Sequence, residues 1–218
     1  MITLEGVSKT YSTNNGVKSV LSNVTLEIPT EKNIAILGLN GSGKSTLLRM
    51  LGGIDYPTSG RIYSDKSFSW PMGLSGGFQG SMTGRHNVKF VCRIHGKNDK
   101  DISRAISFVE DFSELGDYFD MPIKSYSSGM RSRLGFGLSL FFDFDYLLID
   151  ESLSVGDKNF KKKSRAALMN KIEHSHVILV SHSMQTLIDL CDVAIYLHDG
   201  HLTYFDNVEK AIKAYQEH

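Results

Sequence analysis

The chain has 218 residues, with 24 Lys and Arg against 24 Asp and Glu, so its formal net charge is zero. This length suits one substantial core with room for a small inserted subdomain, and the balanced charge gives no electrostatic argument for binding nucleic acid. The sequence has no apolar run near the roughly 18 to 20 residues that span a bilayer, and its first residues lack the basic and apolar regions of a signal peptide. Two distant cysteines, Cys92 and Cys191, are expected to be buried, reduced thiols.

The predicted elements begin with two strands, Ile2 to Leu4 and Val20 to Ile28, which are separated by a polar turn region at residues 9–16. In the second strand apolar residues alternate with polar ones, which is typical of a half-buried antiparallel strand. The turn region contains one aromatic residue, Tyr11.

A third predicted strand, Ile34 to Leu37, leads into a glycine-rich loop and then into helix-forming residues from Thr46. Residues 38–45 match the P-loop pattern G-x-x-x-x-G-K-[ST] at every position. Glycines let the backbone approach phosphate oxygens, and the helix N-terminus presents positive charge to them. Lys44 is expected to reach the β- and γ-phosphates, and the Ser45 hydroxyl is expected to bind Mg²⁺. The predicted nucleotide-binding residues of this loop are Gly38, Asn40, Gly41, Ser42, Gly43, Lys44, Ser45 and Thr46.

Beyond this loop the pattern becomes mixed and then helical. Short strands are predicted at residues 61–63 and 67–70, followed by a glycine-rich loop at residues 71–84. Helical patterns then dominate from about residue 85 to residue 140, which predicts a helical subdomain inserted between strands. We expect residues 1–218 to form a single domain that includes this subdomain.

Two later core strands are predicted to end in polar residues. Tyr146 to Asp150 is followed directly by Glu151, and a strand at residues 177–180 is followed by Ser181 and His182. Because parallel strands end at the same edge of a sheet, Asp150 is expected to bind Mg²⁺ and Glu151 to orient or deprotonate the attacking water. His182 is expected to contact the γ-phosphate. The alternatives are a surface acidic pair and a structural histidine.

A segment rich in hydroxyl groups and glycine lies shortly before the Asp150 strand. It comprises Tyr126, Ser127, Ser128, Gly129 and Met130, and it precedes a helix predicted to run to about residue 141. A helix start of this composition is able to bind an anion. Taken alone, the segment is better explained as a helix cap formed by one of the serines. Its position between the P-loop and the Asp150 strand favours a functional role.

With these motifs in this order, nearly the whole chain resembles the ATP-binding cassette (ABC) ATPases. The resemblance implies an α/β fold of the P-loop NTPase type, an ABC nucleotide-binding domain with an antiparallel β subdomain and a helical subdomain. In that family Tyr11 would stack on adenine, residues 126–130 would bind the γ-phosphate of ATP held by the other protomer, and Asp157 would communicate across the dimer. The alternatives are a packed surface tyrosine at Tyr11 and an acid at a helix N-terminus at Asp157.

Several segments more narrowly resemble the ATPase subunits of bacterial capsular-polysaccharide exporters. They are residues 54–57, 69–71, 77–85, 87–90, 119–124 and 126–136. This resemblance implies an ATP hydrolase that uses Mg²⁺, forms a head-to-tail homodimer at the cytoplasmic side of the inner membrane, and drives polysaccharide export through a separate transmembrane permease, with no nucleic-acid partner. O-antigen or teichoic-acid exporters are the alternative. O-antigen ATPases usually carry a C-terminal carbohydrate-binding domain, so the end of the chain at His218 favours the capsule type.

Three further features complete the prediction. Gln79 is the candidate Q-loop residue, expected to meet Mg²⁺ and the permease, although it lies closer to Asn87 than is usual; the alternative is a polar loop residue. The lysines at 161–163 are expected to form a solvated face. A soluble ABC-type ATPase acting on nucleic acid or ribosomes is the rival class, but the chain lacks the second cassette or long coiled coil usual there. A P-loop GTPase is disfavoured because the sequence has no obvious Asn/Thr-Lys-x-Asp motif.

Overall fold

The computed structural model describes residues 1–13, 16–72, 78–150 and 157–217, which divide into two compact units. The first unit comprises Met1–Pro71, Phe144–Glu151 and Ile172–His218, and the second comprises Met72–Asp143 and Ser152–Lys171. The predicted helical segment at about residues 85–140 falls within the second unit. The single-domain organisation stays a prediction.

Strands are found in the first unit, and helices occur in both units. The strands are, in chain order, β1 (Ile2–Thr13), β2 (Gly16–Ile28), β3 (Ile34–Gly38), β4 (Ser59–Ser64), β5 (Tyr146–Asp150), β6 (His176–Val180), β7 (Val193–His198) and β8 (His201–Phe205). The helices are α1 (Lys44–Leu51), α2 (Gly84–Ile94), α3 (Asp99–Ser113), α4 (Ser128–Phe141), α5 (Lys158–Ile172), α6 (Met184–Leu190) and α7 (Val208–Gln216).

The strands form two sheets. The smaller is antiparallel, with the order β2-β1-β4, and the larger has the order β5-β6-β3-β7-β8. In the larger sheet β5, β6, β3 and β7 run parallel, and only the edge strand β8 pairs in the antiparallel sense with its neighbour. The parallel strands are continuous apolar runs because both faces of such a sheet are covered. Their carboxyl ends therefore meet at one edge.

One hydrophobic core joins the two sheets and α1 within the first unit. Val7 and Leu21 contribute to it from the smaller sheet, Ile36 from the larger sheet, and Leu47 and Leu48 from α1. All five are at most 1% exposed, and burying a side chain of this size contributes about 1.5 to 3 kcal/mol before entropy is counted. The core therefore fixes β1 and the loop between β3 and α1 on one rigid base.

Two predicted elements were wrong. Residues 9–13, expected in a turn, continue β1, where Tyr11 pairs with Lys18 of β2. Threonine and tyrosine favour strands, and the neighbouring strand supplies backbone partners to polar residues as readily as to apolar ones. Conversely, residues 67–70 form only an isolated bridge, between Phe68 and Tyr146. There, the Asp145 carboxylate accepts hydrogen bonds from the backbone N–H and hydroxyl of Ser67.

The second unit is built around α3 and α4, which pack against each other through aromatic side chains. Phe112 of α3 stacks on Phe136 of α4 with ring centroids 6.0 Å apart, and it meets Phe160 of α5 edge-on at 5.6 Å. Gly137 allows this approach, since a Cβ there would lie 3.2 Å from the Phe112 ring. Among the described residues, no helix combines the length and apolar character needed to cross a bilayer. Cys92 and Cys191 are buried and free, as predicted.

Candidate nucleotide-binding site

The loop between β3 and α1 has a backbone that requires glycine. Gly38 and Gly43 have φ angles of 154° and 114°, a region that side chains disfavour. A Cβ on Gly43 would lie 2.2 Å from Cγ1 of Val20, and one on Gly38 would lie 2.6 Å from the carbonyl oxygen of Leu197. The loop is therefore wedged against β2 and β7, and its shape is fixed by contacts that no other residue type permits.

This loop also leaves polar groups without protein partners. Helix α1 begins after Gly43, and no side chain caps its first turn, so the first backbone N–H groups have no intrahelical acceptor. The Ser42 hydroxyl is buried and makes no hydrogen bond within the described part of the chain. Buried polar groups rarely remain unpaired. A helix N-terminus beside such a hydroxyl fits a phosphate group, which supplies acceptor oxygens and negative charge.

Lys44 currently bonds to the loop itself. Its Nζ donates hydrogen bonds to the carbonyl oxygens of Gly38, at 2.7 Å, and of Leu39, at 2.9 Å. Burial lowers the pKa of the Lys44 amine below its usual value, while the negative charge of Asp150 opposes that shift. The amine is thus held at the loop, within electrostatic reach of the acid at the end of β5.

A cavity in the first unit brings the predicted residues together. Its lining includes Tyr11, Asn40, Gly41, Gly43, Lys44, Ser45, Thr46 and Asp150. Val180 also lines it, and Val180 aligns with Asp150 on β5 and with Ile36 on β3. A hydroxyl from Ser45 and a carboxylate from Asp150 are the oxygen ligands that Mg²⁺ prefers. The donor set therefore fits a magnesium ion bound together with phosphate.

His182 follows β6 at the same edge of the sheet, two residues beyond Val180, and its side chain is exposed. Glu151, the predicted water-activating residue, lies outside the described residues. The roles assigned to these residues stay predictions.

The predicted signature segment lies in the second unit. Tyr126 is buried, and its hydroxyl donates to the carbonyl oxygen of Tyr118. The Ser127 Oγ accepts a hydrogen bond from the backbone N–H of Met130, at 3.2 Å, and so caps α4. Ser128 and Gly129 form the first turn of that helix. The alternative role of the segment, helix capping, is therefore present. Binding of the ATP held by the other protomer stays a prediction.

Asp157 caps a helix as well. Its Oδ1 accepts hydrogen bonds from the backbone N–H groups of Asn159 and Phe160, at the start of α5. Its Oδ2 lies 2.5 Å from Nη2 of Arg133, on α4. The pKa of Asp157 is held below its usual range, mostly by the hydrogen bond from the Phe160 N–H and to a smaller extent by the Asn159 N–H and Arg133. Asp157 is therefore an acid at a helix N-terminus, as the alternative interpretation expects. Its communication across a dimer stays a prediction.

Gln79 is exposed and belongs to the second unit, whereas Ser45 and Asp150 belong to the first. Its backbone is fixed by Asn87, whose Oδ1 accepts from the Gln79 N–H at 2.8 Å and whose Nδ2 donates to the Gln79 carbonyl oxygen. The spacing between Gln79 and Asn87, unusual in the sequence, thus corresponds to a direct side-chain contact. The Mg²⁺ and permease contacts of Gln79 stay predictions.

Sequence reasoning missed the surroundings of Tyr11. The Tyr11 hydroxyl donates to Oδ2 of Asp55, at 2.6 Å, and Nζ of Lys9 lies 4.8 Å from the centre of the Tyr11 ring. Asp55 lies within residues 54–57, one of the segments that resemble the exporter ATPases. Its partners lie 44 and 46 residues away in sequence, so no local pattern reveals the contact.

Comparison with known proteins gives one consistent result. The model of the family described as "ABC transporter" matches residues 21–154. The chain is 55% identical over its whole length to a polysialic acid transport ATP-binding protein, KpsT, of Escherichia coli, covering 99% of that protein. It is 45% identical to the capsule polysaccharide export ATP-binding protein CtrD of Neisseria meningitidis, with 99% of this chain and 98% of the relative covered.

Solved structures agree on the fold. A dimeric ATP-binding cassette in a post-hydrolysis state with ADP and Pi superposes with a TM-score of 0.72 at 23% identity, covering 95% of this chain and 99% of the other. The predicted ABC-type α/β fold is thereby confirmed. The chain belongs to the ABC transporter family, among the ATP-binding subunits of the capsular-polysaccharide exporter type.

Proposed function

We propose that this chain is the ATP-hydrolysing subunit of a transporter that exports capsular polysaccharide through a separate transmembrane permease. The observation that carries the proposal is the cavity in which Tyr11, Lys44, Ser45 and Asp150 come together. An aromatic ring, a phosphate-binding loop and an acid at a strand end are what a nucleoside triphosphate requires along its length. The polysaccharide class rests on the full-length identity to relatives that are named for polysialic acid transport and capsule polysaccharide export.

Each residue of the cavity has a distinct role in this proposal. The adenine ring stacks on Tyr11, and the phosphates take the loop N–H groups. Outside the cavity lining, the neighbouring Ser42 hydroxyl, which has no partner in the described structure, is a further donor of the same loop. Lys44 exchanges its bonds to the Gly38 and Leu39 carbonyls for the β- and γ-phosphates. Charge that develops on the phosphate is then stabilised by donors already in place.

Ser45 and Asp150 are the residues that would hold Mg²⁺. The ion, when bound, neutralises charge on the phosphate oxygens. Glu151 orients a water molecule and takes its proton as the water oxygen bonds to the γ-phosphorus. The bond from that phosphorus to the bridging oxygen breaks, and ADP and phosphate are released. His182 positions the γ-phosphate.

Assembly follows from the same assignments. Two copies pack head to tail, so that residues 127–129 of one copy meet the triphosphate bound in the other. Closing and reopening of this dimer drives the permease. The subunit acts at the cytoplasmic side of the inner membrane, where ATP is available. The solved cassette that shares this fold was described as a dimer, which supports this arrangement.

A genetic experiment tests the proposal. The gene is deleted in its source strain and restored as wild type, as Glu151→Gln or as Asp206→Asn; the last variant removes an exposed acid that pairs with Lys210 on the surface. Polysaccharide is then measured at the cell surface and in the cytoplasm. We expect wild type and Asp206→Asn to restore the surface coat, and the deletion and Glu151→Gln to accumulate polymer inside.

The outcomes separate the parts of the proposal. An unchanged capsule in the deletion strain would contradict the export function. Internal build-up of an O-antigen or a teichoic acid would correct the substrate class while the ATPase remained. Copurification with ribosomes or nucleic acid rather than with membranes would favour the soluble rival class.

A further inference from the structure

Three charged residues, Lys9, Arg49 and Asp55, contact Tyr11. We call these three residues together with Tyr11 the Tyr11 cluster. Its centre is the Asp55 carboxylate, in the loop that follows α1. Oδ2 accepts a hydrogen bond from the Tyr11 hydroxyl at 2.6 Å, and Oδ1 accepts one from Nζ of Lys9 at 2.6 Å. The backbone N–H of Tyr56 also donates to Oδ1, at 2.8 Å. Both oxygens of the carboxylate thus accept hydrogen bonds.

The cluster is charged although it is partly shielded from water. Lys9 is 8% exposed, and its amine also donates to the carbonyl oxygen of Tyr56, at 2.7 Å. Burial acting alone would raise the pKa of Asp55, but hydrogen bonds from Lys9 and Tyr11 hold it at about 2. A shielded ion pair gains little stability over apolar packing, because both charges lose their hydration. Because the pair holds Tyr11, which lines the ligand cavity, it points to a role in geometry.

One face of the Tyr11 ring is covered by Lys9. The Lys9 amine lies over the ring, 4.8 Å from its centre, which is within the range of a cation–π contact. A flat base that stacks on Tyr11 would therefore take the face opposite Lys9. Lys18 and Val20 of β2 line the cavity beside the ring. The contacts with Asp55 and Lys9 therefore set the position of the ring before any ligand arrives.

Arg49 links the cluster to the phosphate loop. Its Nη2 lies 3.4 Å from the Tyr11 hydroxyl oxygen and 3.2 Å from Oγ1 of Thr46. Thr46 is in the first turn of α1, directly after Lys44 and Ser45. The distance between the ring and the phosphate site is thereby fixed through side chains as well as through the core.

We propose that Asp55 is a positioning residue for the nucleobase: with Lys9 it holds the Tyr11 ring in the orientation that stacks on the base. The inference rests on the proposed function in one respect, since it takes Tyr11 as the base platform. A ring ordered in advance removes the entropy loss that ordering it would otherwise subtract from binding. Asp55 therefore affects the affinity for the base and leaves the chemistry at the γ-phosphate unchanged.

The test separates base binding from phosphate binding. ATP hydrolysis by the purified full-length chain gives KM and kcat, and inorganic tripolyphosphate, a triphosphate without a base, gives an inhibition constant. Tyr11→Phe removes the hydroxyl that Asp55 accepts from and leaves the Lys9–Asp55 pair in place. We expect this variant to raise KM by about threefold to tenfold, with kcat and the tripolyphosphate constant unchanged.

Asp55→Asn approaches the same contact from the other side and is expected to raise KM in the same way. The double variant should raise KM by less than the product of the two single changes, because both changes break the Tyr11–Asp55 hydrogen bond. Asp65→Asn is the matched control, since Asp65 also forms an ion pair in the first unit, with the N-terminal amine, but is outside the Tyr11 cluster. It should leave all three constants unchanged.

Three results would overturn the inference. One is an unchanged KM in Tyr11→Phe and Asp55→Asn. Another is a tripolyphosphate constant that rises together with KM, which would show that Asp55 acts on the phosphate loop. The third is a fall in kcat at constant KM. Any of these leaves the proposed ATPase in place so long as Lys44→Ala abolishes hydrolysis, so the two failures are distinguishable.

Discussion

Helices α1 and α4 both begin at a predicted nucleotide contact, yet they begin differently. At α1 the residue before the helix is Gly43, which supplies no side-chain cap, and the neighbouring Ser42 hydroxyl is buried without a partner in the described structure. At α4 the Ser127 hydroxyl accepts a hydrogen bond from the Met130 N–H and so caps the helix. The N–H groups at an uncapped helix start are available to a ligand, whereas a serine that caps a helix already has a structural role.

The difference shows which of the two predicted roles is supported by the structure of a single copy of the chain. The glycine loop would be hard to justify as purely structural, since it leaves polar groups unpaired. Ser127 and Asp157 each have partners within the second unit: Ser127 caps α4, and Asp157 caps α5 and pairs with Arg133. Their predicted role therefore needs a second copy of the chain, and experiments have to separate that role from capping.

The largest effect is expected at Lys44. Lys44→Ala should lower ATP hydrolysis by about a thousandfold, because it removes a positive charge placed where negative charge develops. The fold should survive, since the lysine donates to the Gly38 and Leu39 carbonyls on the loop surface. Hydrolysis and circular dichroism are measured together. Lys210→Ala, which removes an exposed ion pair with Asp206, is the control, and normal turnover by Lys44→Ala would contradict the loop's assignment.

The next effect tests whether the loop's shape depends on contact or only on backbone angles. Gly43→Ala should lower the free energy of unfolding by about 2 to 4 kcal/mol, because its Cβ would meet the stiff Val20 side chain. Gly41→Ala is matched to it, with a positive φ of 78° but no atom within 4 Å of the added Cβ, and should cost about 1 to 2 kcal/mol. Urea unfolding compares them. Equal losses would mean that the contact with Val20 is unimportant.

A substitution at Ser127 separates the cap from the ATP contact. Aspartate is as good a helix cap as serine, so Ser127→Asp should keep the free energy of unfolding. Its negative charge would face the phosphates of the partner's ATP, and hydrolysis should fall by about tenfold or more. Ser127→Ala is the complement, with the cap lost at a cost of about 1 kcal/mol. Full activity in Ser127→Asp would remove the signature role.

The same contrast between local and distant determinants explains what the sequence predicts. The P-loop, the Asp150 strand and the α4 start are contiguous patterns, and their elements were predicted correctly. The strand at residues 9–13 was missed because its polar residues are paired by β2, which no local periodicity reveals. The Tyr11–Asp55 and Arg133–Asp157 contacts join residues 44 and 24 positions apart, so they depend on packing that a single sequence does not display.

The smallest effect concerns Asp55 and pH, and its sign follows from the depressed pKa of about 2. An acid whose pKa is lower in the folded than in the unfolded chain stabilises the fold above the unfolded pKa of about 4, and this stabilisation is lost as the pH falls toward the folded value. Asp55→Asn should therefore be less stable than wild type near neutral pH. About 1 kcal/mol of that difference should disappear by about pH 3.

Urea unfolding across that pH range measures the difference directly. Asp206→Asn is the control, because an exposed pair such as Asp206–Lys210 contributes little at any pH. A stability difference that stayed constant as the pH fell would mean that Asp55 acts through shape and hydrogen bonding alone. A stability difference that shrinks as the pH falls would show that the charge of Asp55, balanced by Lys9, holds the Tyr11 hydroxyl. Side chains of the first unit would then be held in place by ion pairing, as the backbone of its loop is held by the glycines Gly38 and Gly43.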